Sequence, residues 1–281
     1  MTEPVVWRDG NWVTAAEARW PAADRGTLLG DGLFETLRFR DGAIMRLERH
    51  AARLQAGCVA LGLACPVDAA ALGSLATELC ERNGLVDAAL RLTLTAGTGP
   101  RGLDRDPDAE PSLLLTAAPR TPPPSSVALA TSRIRRSPSS LAAAHKTLGY
   151  TDNLAARREA RQAGAAMALL LDTGGYLSGA DCANLFWMRS GTVFTPASEC
   201  GVLPGTARAE ILEARAVETG AFGMEALRGA ECVFVTNALM GAVPVSAVDG
   251  KALATGSGIP HSIAELLDYS RDTTIDRRGR R

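Results

Sequence analysis

Lys146 stands in the run LAAAHKTLGY, among small and apolar residues, in a chain that uses arginine almost everywhere else a positive charge is needed. Of 30 basic side chains, two are lysine, Lys146 and Lys251. A surface charge at 146 could as well be arginine. An amine nucleophile could not, because guanidinium stays protonated. Burial would disfavour the ammonium and bring its pKa down from about 10.4, making the neutral amine available for attack on a carbonyl carbon. The bland alternative is a lysine that snorkels to solvent. Lys251, in the hairpin-like VDGKAL, reads as exposed. A Schiff-base lysine needs company: an anion site for a phosphate, a partner for a ring nitrogen and a clamp for the substrate.

The remaining motifs narrow the chemistry. GTGPRG (97–102) matches GxGxxG after a predicted strand, but Pro100 and the following RGLDRDPDAEP predict a loop where a dinucleotide fingerprint needs a helix. The loop does offer Arg101, a fixed charge suited to holding a carboxylate. Neither lysine is preceded by the glycines of a P-loop. Six scattered cysteines without a CxxC pair and three histidines argue against a zinc site or a disulfide framework and fit reduced thiols in the cytoplasm. A net charge of −1 excludes a basic footprint for nucleic acid or an anionic membrane. No apolar run is long enough to span a bilayer, and MTEPVVWRDG has no signal-peptide core. No metal is expected.

These residues must be positioned by a mixed α and β chain. APRTPPPSS (118–126) predicts an interdomain linker, since three prolines end both helices and central strands. The expected domains are 1–117 and 127–281, the second carrying Lys146. VVWRDGNWV and GLFETLRFRDGAIMRL predict hairpins. A helix is expected at LERHAARLQAGCVALGL, with Leu47, Leu54 and Leu61 on one face, and another from an Asp68 cap to Asn83 and Gly84. ALRLTLTAG and SLLLTAA read as buried strands. Beyond the linker the expected order is strand VALATSRI, helix TDNLAARREARQAG capped by Thr151 or Asp152, strands in MALLLDTGGYLSG, and hairpin NLFWMRSGTVFT. Helix PGTARAEILEARAVETG, strands ECVFVT and VPVSAVDGKAL, and helix HSIAELLDYS follow, before a polar tail RDTTIDRRGRR.

Seven stretches in order, DRGTLLGDGLFETLR, RHAARL, GTGPRG, SPSSLAAAHKTLGYTDNLAARREA, CANLFW, GVLPGTAR and VTNALMGAVPV, resemble the fold-type IV pyridoxal-phosphate enzymes. That group includes branched-chain and D-amino-acid aminotransferases and 4-amino-4-deoxychorismate lyase. SPSSLAAAHKTL, CANLFW and TNALM look most like the lyase. The resemblance implies a two-domain α+β fold with the cofactor between the domains, a homodimer and a small-molecule substrate. It assigns Lys146 to the covalent link with pyridoxal 5′-phosphate and Arg53 to its phosphate. Thr206 and Ala207, at a helix start where amides and dipole suit an anion, are assigned to the phosphate as well. Asn237 and Ala238 match the other phosphate contact. Arg101 matches a substrate-carboxylate binder, with Phe34 and Thr36 lining the same pocket.

One position departs from the family. Where relatives carry a glutamate that binds the pyridine nitrogen, five residues before the Asn of NLFW, this chain has Gly179. Asp181 lies on the same side if the segment is extended, and is the candidate substitute. Restoring a carboxylate as Gly179→Glu is expected to raise proton abstraction if the side chain finds room. The implied function is the lyase, forming p-aminobenzoate and pyruvate for folate synthesis. The alternatives are a class IV aminotransferase and a homologue with weak or no turnover.

Overall fold

The computed structural model describes residues 3–253 and 258–268. The chain divides into two compact units, Met1–Thr121 with His145–Gly149, and Pro122–Ala144 with Tyr150–Arg281. Lys146 therefore belongs to the first unit, not to the C-terminal domain in which the linker placed it. The cause is local. The bridge Leu33↔Thr147 and the bonds Phe34 N to Lys146 O (2.9 Å) and Leu148 N to Gly32 O (3.0 Å) lay this segment along a strand edge of the first unit. The tail RDTTIDRRGRR lies outside the described residues.

The first unit runs β1 (Val5–Arg8), β2 (Asn11–Thr14), α1 (Arg25–Leu29), β3 (Gly32–Arg40), β4 (Ala43–Ile44), α2 (Leu47–Leu61), α3 (Ala69–Arg82), β5 (Asp87–Thr95) and β6 (Ser112–Pro119). Its antiparallel sheet has the order β2-β1-β6-β5-β3-β4. Asp9 and Gly10 turn the first hairpin with positive φ, 46° and 88°, as a primed turn requires. Asp68 caps α3 by accepting from Ala71 N at 2.8 Å. Alternation along β5 sends Ala88, Leu90, Leu92 and Leu94 into a core with Leu54, Cys58, Leu72 and Leu79 of the helices. Each buried leucine contributes about 2 kcal/mol. Arg91 and Thr93 take the opposite face. β6 extends through Pro119, into the stretch expected to be linker.

The second unit contains β7 (Val127–Arg136), α4 (Leu141–Ala144), α5 (Thr151–Gln162), β8 (Met167–Asp172), β9 (Leu177–Ala180), β10 (Asn184–Arg189), β11 (Thr192–Pro196), α6 (Thr206–Ala214), β12 (Val217–Gly220), β13 (Cys232–Asn237), β14 (Gly241–Val248), β15 (Lys251–Ala252) and α7 (His261–Asp268). The sheet order is β12-β11-β10-β13-β14-β7-β8-β9, with β15 on β14. β7 and β8 are parallel and joined by α5, whose Ala156 and Ala160 pack on Ala130, Ala168 and Leu170. Small residues on that face bring the helix close to the sheet. Phe186 and Phe234 stack at 5.2 Å in the core beneath α6 and α7.

Two expectations shift. Tyr150 occupies the cap of α5, so Thr151 and Asp152 lie in its first turn, where an acidic side chain favours the helix dipole. α6 stops at Ala214 rather than continuing to 220. Residues 217–220 instead pair in parallel with β11, where Val217 and Thr219 suit a strand better than a helix.

Candidate active site

In the first unit the site is built on β3. Lys146 is half-buried, and its Nζ lies 4.1 Å from the centre of the Phe34 ring. The guanidinium of Arg91 lies 4.0 Å from the same ring centre. Strand register explains the pairing: Phe34 faces Thr93 and Thr36 faces Arg91, so Arg91 reaches Phe34 along the diagonal. One aromatic ring thus holds an amine and an arginine by cation–π contact. Lys146 thus lies beside Phe34, and Thr36, two residues on, shares Phe34's face of β3. Arg91 was missed. Its place on the polar face of ALRLTLT was legible, but the register that sets it beside Phe34 was not.

Arg53, on α2, meets the opposite face of the same strand. Glu35, alternating with Phe34 and Thr36, points to the helix side, is 1% exposed, and accepts from Arg53 Nε at 2.8 Å and Nη2 at 2.6 Å. His50 Nδ1 lies 2.7 Å from Glu35 Oε2. Burial by itself would raise the Glu35 carboxyl; the Arg53 charge and the bonds from His50 and Arg53 outweigh it and hold the pKa at about 2. Burial pushes His50 down, so it is neutral near pH 7 and donates to the carboxylate. Arg101 is exposed in the loop between β5 and β6.

In the second unit, α6 begins at Gly205 with no side chain capping it. A side chain there has no room, since a Cβ on Gly205 would lie 1.9 Å from Asn184 Oδ1. Thr206 and Ala207 are buried in this first turn, and Asn184 donates to Leu203 O at 3.0 Å. Among the described residues, the buried Oγ1 of Thr236, the strand partner of Asn184, has no hydrogen-bond partner, and neither has Nε of Arg208. An uncapped helix start beside unpartnered buried donors suits an anion such as a phosphate. Asn237 is engaged otherwise: its Oδ1 accepts from Leu239 N (3.0 Å) and Met240 N (2.8 Å), and its Nδ2 donates to Cys182 O at 3.2 Å. The side chain shapes the turn that carries Ala238.

Asp181 is 2% exposed, and both its oxygens bond Arg157, one to Nε and one to Nη2 at 2.9 Å. The hydrogen bonds with Asp181, ahead of the cost of burial, push the Arg157 guanidinium up. This carboxylate is committed to a structural ion pair. At Gly179 the nearest charged group to a built Cβ is Nη1 of Arg136, at 3.7 Å. Arg136 donates Nη2 to Ala180 O at 3.0 Å and has no carboxylate within ion-pair distance among the described residues. Gly179 sits where the β8–β9 register shifts, has φ +155°, and its Cβ would lie 3.1 Å from Ala183 O. A side chain at 179 would be strained at this φ and tight against Ala183 O, which restricts the room on which the Gly179→Glu expectation depended. Gly179→Glu should cost about 1–3 kcal/mol of stability, read as a lowered urea midpoint, with no gain in rate; an unchanged midpoint with faster turnover would overturn this.

Among the described residues no group of three His, Cys, Asp or Glu is placed to hold a metal, and no helix is long and apolar enough to cross a membrane.

A model of the family of class IV amino-transferases matches residues 32–248. The putative branched-chain-amino-acid aminotransferase of Methanocaldococcus jannaschii is 30% identical over 257 residues, covering 88% of this chain and 89% of that protein. The aminodeoxychorismate lyase of Bacillus subtilis is 25% identical over 273 residues, covering 94% of this chain and 93% of that one. The solved branched-chain amino acid aminotransferase of Escherichia coli superposes with a TM-score of 0.89 at 23% identity, over 99% of this chain and 98% of that one.

Proposed function

We propose a specific reaction for this chain, which belongs to the class IV aminotransferase family, has its fold-type IV architecture and depends on pyridoxal 5′-phosphate: it is a 4-amino-4-deoxychorismate lyase, releasing pyruvate and p-aminobenzoate. The observation that carries this reading is the environment of Gly179. When bound, the cofactor supplies an electron-withdrawing ring in conjugation with the substrate nitrogen. That withdrawal is strongest with a carboxylate at the ring nitrogen. The family's position for it is glycine here, Asp181 is bound by Arg157, and the near charge is the cation Arg136. Such a site favours the reaction that leans least on the ring. Loss of pyruvate from the substrate leaves an aromatic product, whose formation provides much of the driving force; a 1,3-proton shift has no such help.

Lys146 Nζ would hold the cofactor covalently and, as a neutral amine beside the bound substrate, would take the proton from the ring carbon bearing the substrate nitrogen. Arg91 and Arg101 offer planar donors to substrate carboxylates, and Phe34 and Thr36 form the surface beside them. In the second unit the amides of Thr206 and Ala207 and the turn at Asn237 and Ala238 are the groups we assign to the phosphate; in the first unit the cation we assign to it is Arg53.

A second reading, amino-group transfer to a 2-oxo acid, is favoured by the 30% identity to the M. jannaschii protein. Product analysis separates them. Purified protein with pyridoxal phosphate and 4-amino-4-deoxychorismate should yield equal amounts of pyruvate and p-aminobenzoate. A new amino acid and a 2-oxo acid from a branched-chain or D-amino acid donor, without p-aminobenzoate, would replace the first reading by the second. Neither product would leave a binding role.

A further inference from the structure

The loop that carries Arg101 joins β5 to β6 across residues 96–111 with only an isolated bridge, Asp24↔Thr98, as regular structure. Connections in compact domains are usually a few residues long, so one of this length must be held by groups outside it. Two arginines hold it. Arg25, 3% exposed at the start of α1, donates Nη1 to Asp104 O at 2.9 Å and to Gly102 O at 3.3 Å, and Nη2 to Leu103 O at 2.9 Å. Its Nε donates to Asp31 Oδ2 at 2.9 Å, and its own backbone N donates to Gly97 O at 2.8 Å. Arg105 bonds the same Asp31 and reaches Leu61 O (2.5 Å) and Gly62 O (3.1 Å) at the end of α2. Three consecutive carbonyls after Arg101 are therefore gripped by one buried guanidinium, itself anchored by a carboxylate. Two side chains of the loop point outward: Arg101 is exposed and Leu103 is 84% exposed.

A guanidinium is the side chain suited to this work. Its donors diverge in a fixed plane, so a single residue can meet several carbonyls without reorganising, whereas an ammonium is a compact charge on a flexible stem. A hydrophobic side chain could not do the same work, because the partners on the loop are backbone oxygens and accept only from a donor.

We infer that Arg25 is a positioning residue for substrate binding: by fixing the carbonyls of 102, 103 and 104 it sets the direction in which Arg101 presents its charge to a substrate carboxylate. The inference rests on the reading of Arg101 given above. Without the grip the loop samples many conformations, and a substrate must select one of them. Apparent affinity then falls by the fraction of time the loop is competent, while the chemistry of the bound state is little changed.

Holoenzyme carrying Arg25→Lys, Arg101→Ala or both is compared with wild type on whichever substrate passes the product analysis. If none turns over, binding of p-aminobenzoate is titrated instead. Arg25→Lys should raise KM, or the dissociation constant, about tenfold with kcat within about twofold. In the Arg101→Ala background the same change should have no further effect. Amides of residues 98–105 should exchange faster with deuterium in Arg25→Lys, with the core strands unaltered. An unchanged KM, or an equal rise with and without Arg101, would overturn the positioning role. An Arg101→Ala variant that itself binds normally would instead remove the reading of Arg101, and a loop that still loosens in Arg25→Lys would then mark the clamp as purely structural. Arg25→Gln, which keeps neutral donors, guards against misfolding: its urea midpoint should stay close to that of Arg25→Lys, and its KM should rise in parallel.

Discussion

Lys146→Arg is expected to lower turnover by about a thousandfold or more while leaving the fold in place. The backbone at 146 makes the structural contact, since Phe34 N donates to the carbonyl of Lys146 and not to its side chain. An arginine keeps a positive charge against the Phe34 ring, where Nζ now lies at 4.1 Å, so the cation–π contact survives. What is lost is an amine that can shed a proton and attack carbon, which guanidinium cannot replace. Borohydride reduction of the wild-type holoenzyme should fix the cofactor to the peptide containing residue 146, with none on Lys251, which is exposed on the β14–β15 hairpin. Label on Lys251, or an active Lys146→Arg enzyme, would falsify the assignment.

Arg53→Ala should cost about 3–5 kcal/mol of stability, because it strands a carboxylate that is 1% exposed. It should also weaken cofactor binding if Arg53 holds the phosphate, so the two effects must be separated. Glu35→Gln does so. It breaks the ion pair but leaves the guanidinium at 53, and should lower the urea midpoint with much less loss of cofactor affinity. If both variants lose affinity equally, Arg53 serves the fold and not the phosphate. The pH dependence provides a second check. Glu35 is held at about 2 in the folded protein against an ordinary value of 4.5, so its contribution is full above 4.5 and is lost as pH falls through about 2. By that interval it amounts to about 3 kcal/mol. His50, pushed down by burial, acts in the same direction: below its ordinary 6.5 the unfolded chain takes up a proton more readily than the folded one. The stability gap between wild type and Glu35→Gln should therefore be flat near neutrality and close under acid. A gap that stayed open as pH fell through about 2 would contradict the ion pair.

Much of the local structure was legible because its causes are local. Asp68 and Asn83 mark the ends of α3 through capping chemistry that acts within one turn, and Asp9-Gly10 and Ser190-Gly191 specify their hairpins through positive φ. Alternation in ALRLTLT announced a half-buried strand. The family, and with it the cofactor, was legible because motifs at a helix start and around one lysine constrain residue type strongly. Tertiary contacts decided the rest. Lys146 follows β7 in sequence but is held at the edge of β3, a pairing between residues more than 100 apart that no local pattern encodes. Arg91 meets Phe34 only through strand register. Asp181, which by period alone could serve a ring nitrogen, is claimed by Arg157 from a helix 24 residues away in the chain. Sequence spacing determines which face a side chain takes; which charge it finds there depends on what the fold has already brought to that face, since a buried carboxylate bonds the nearest cation that removes its desolvation cost.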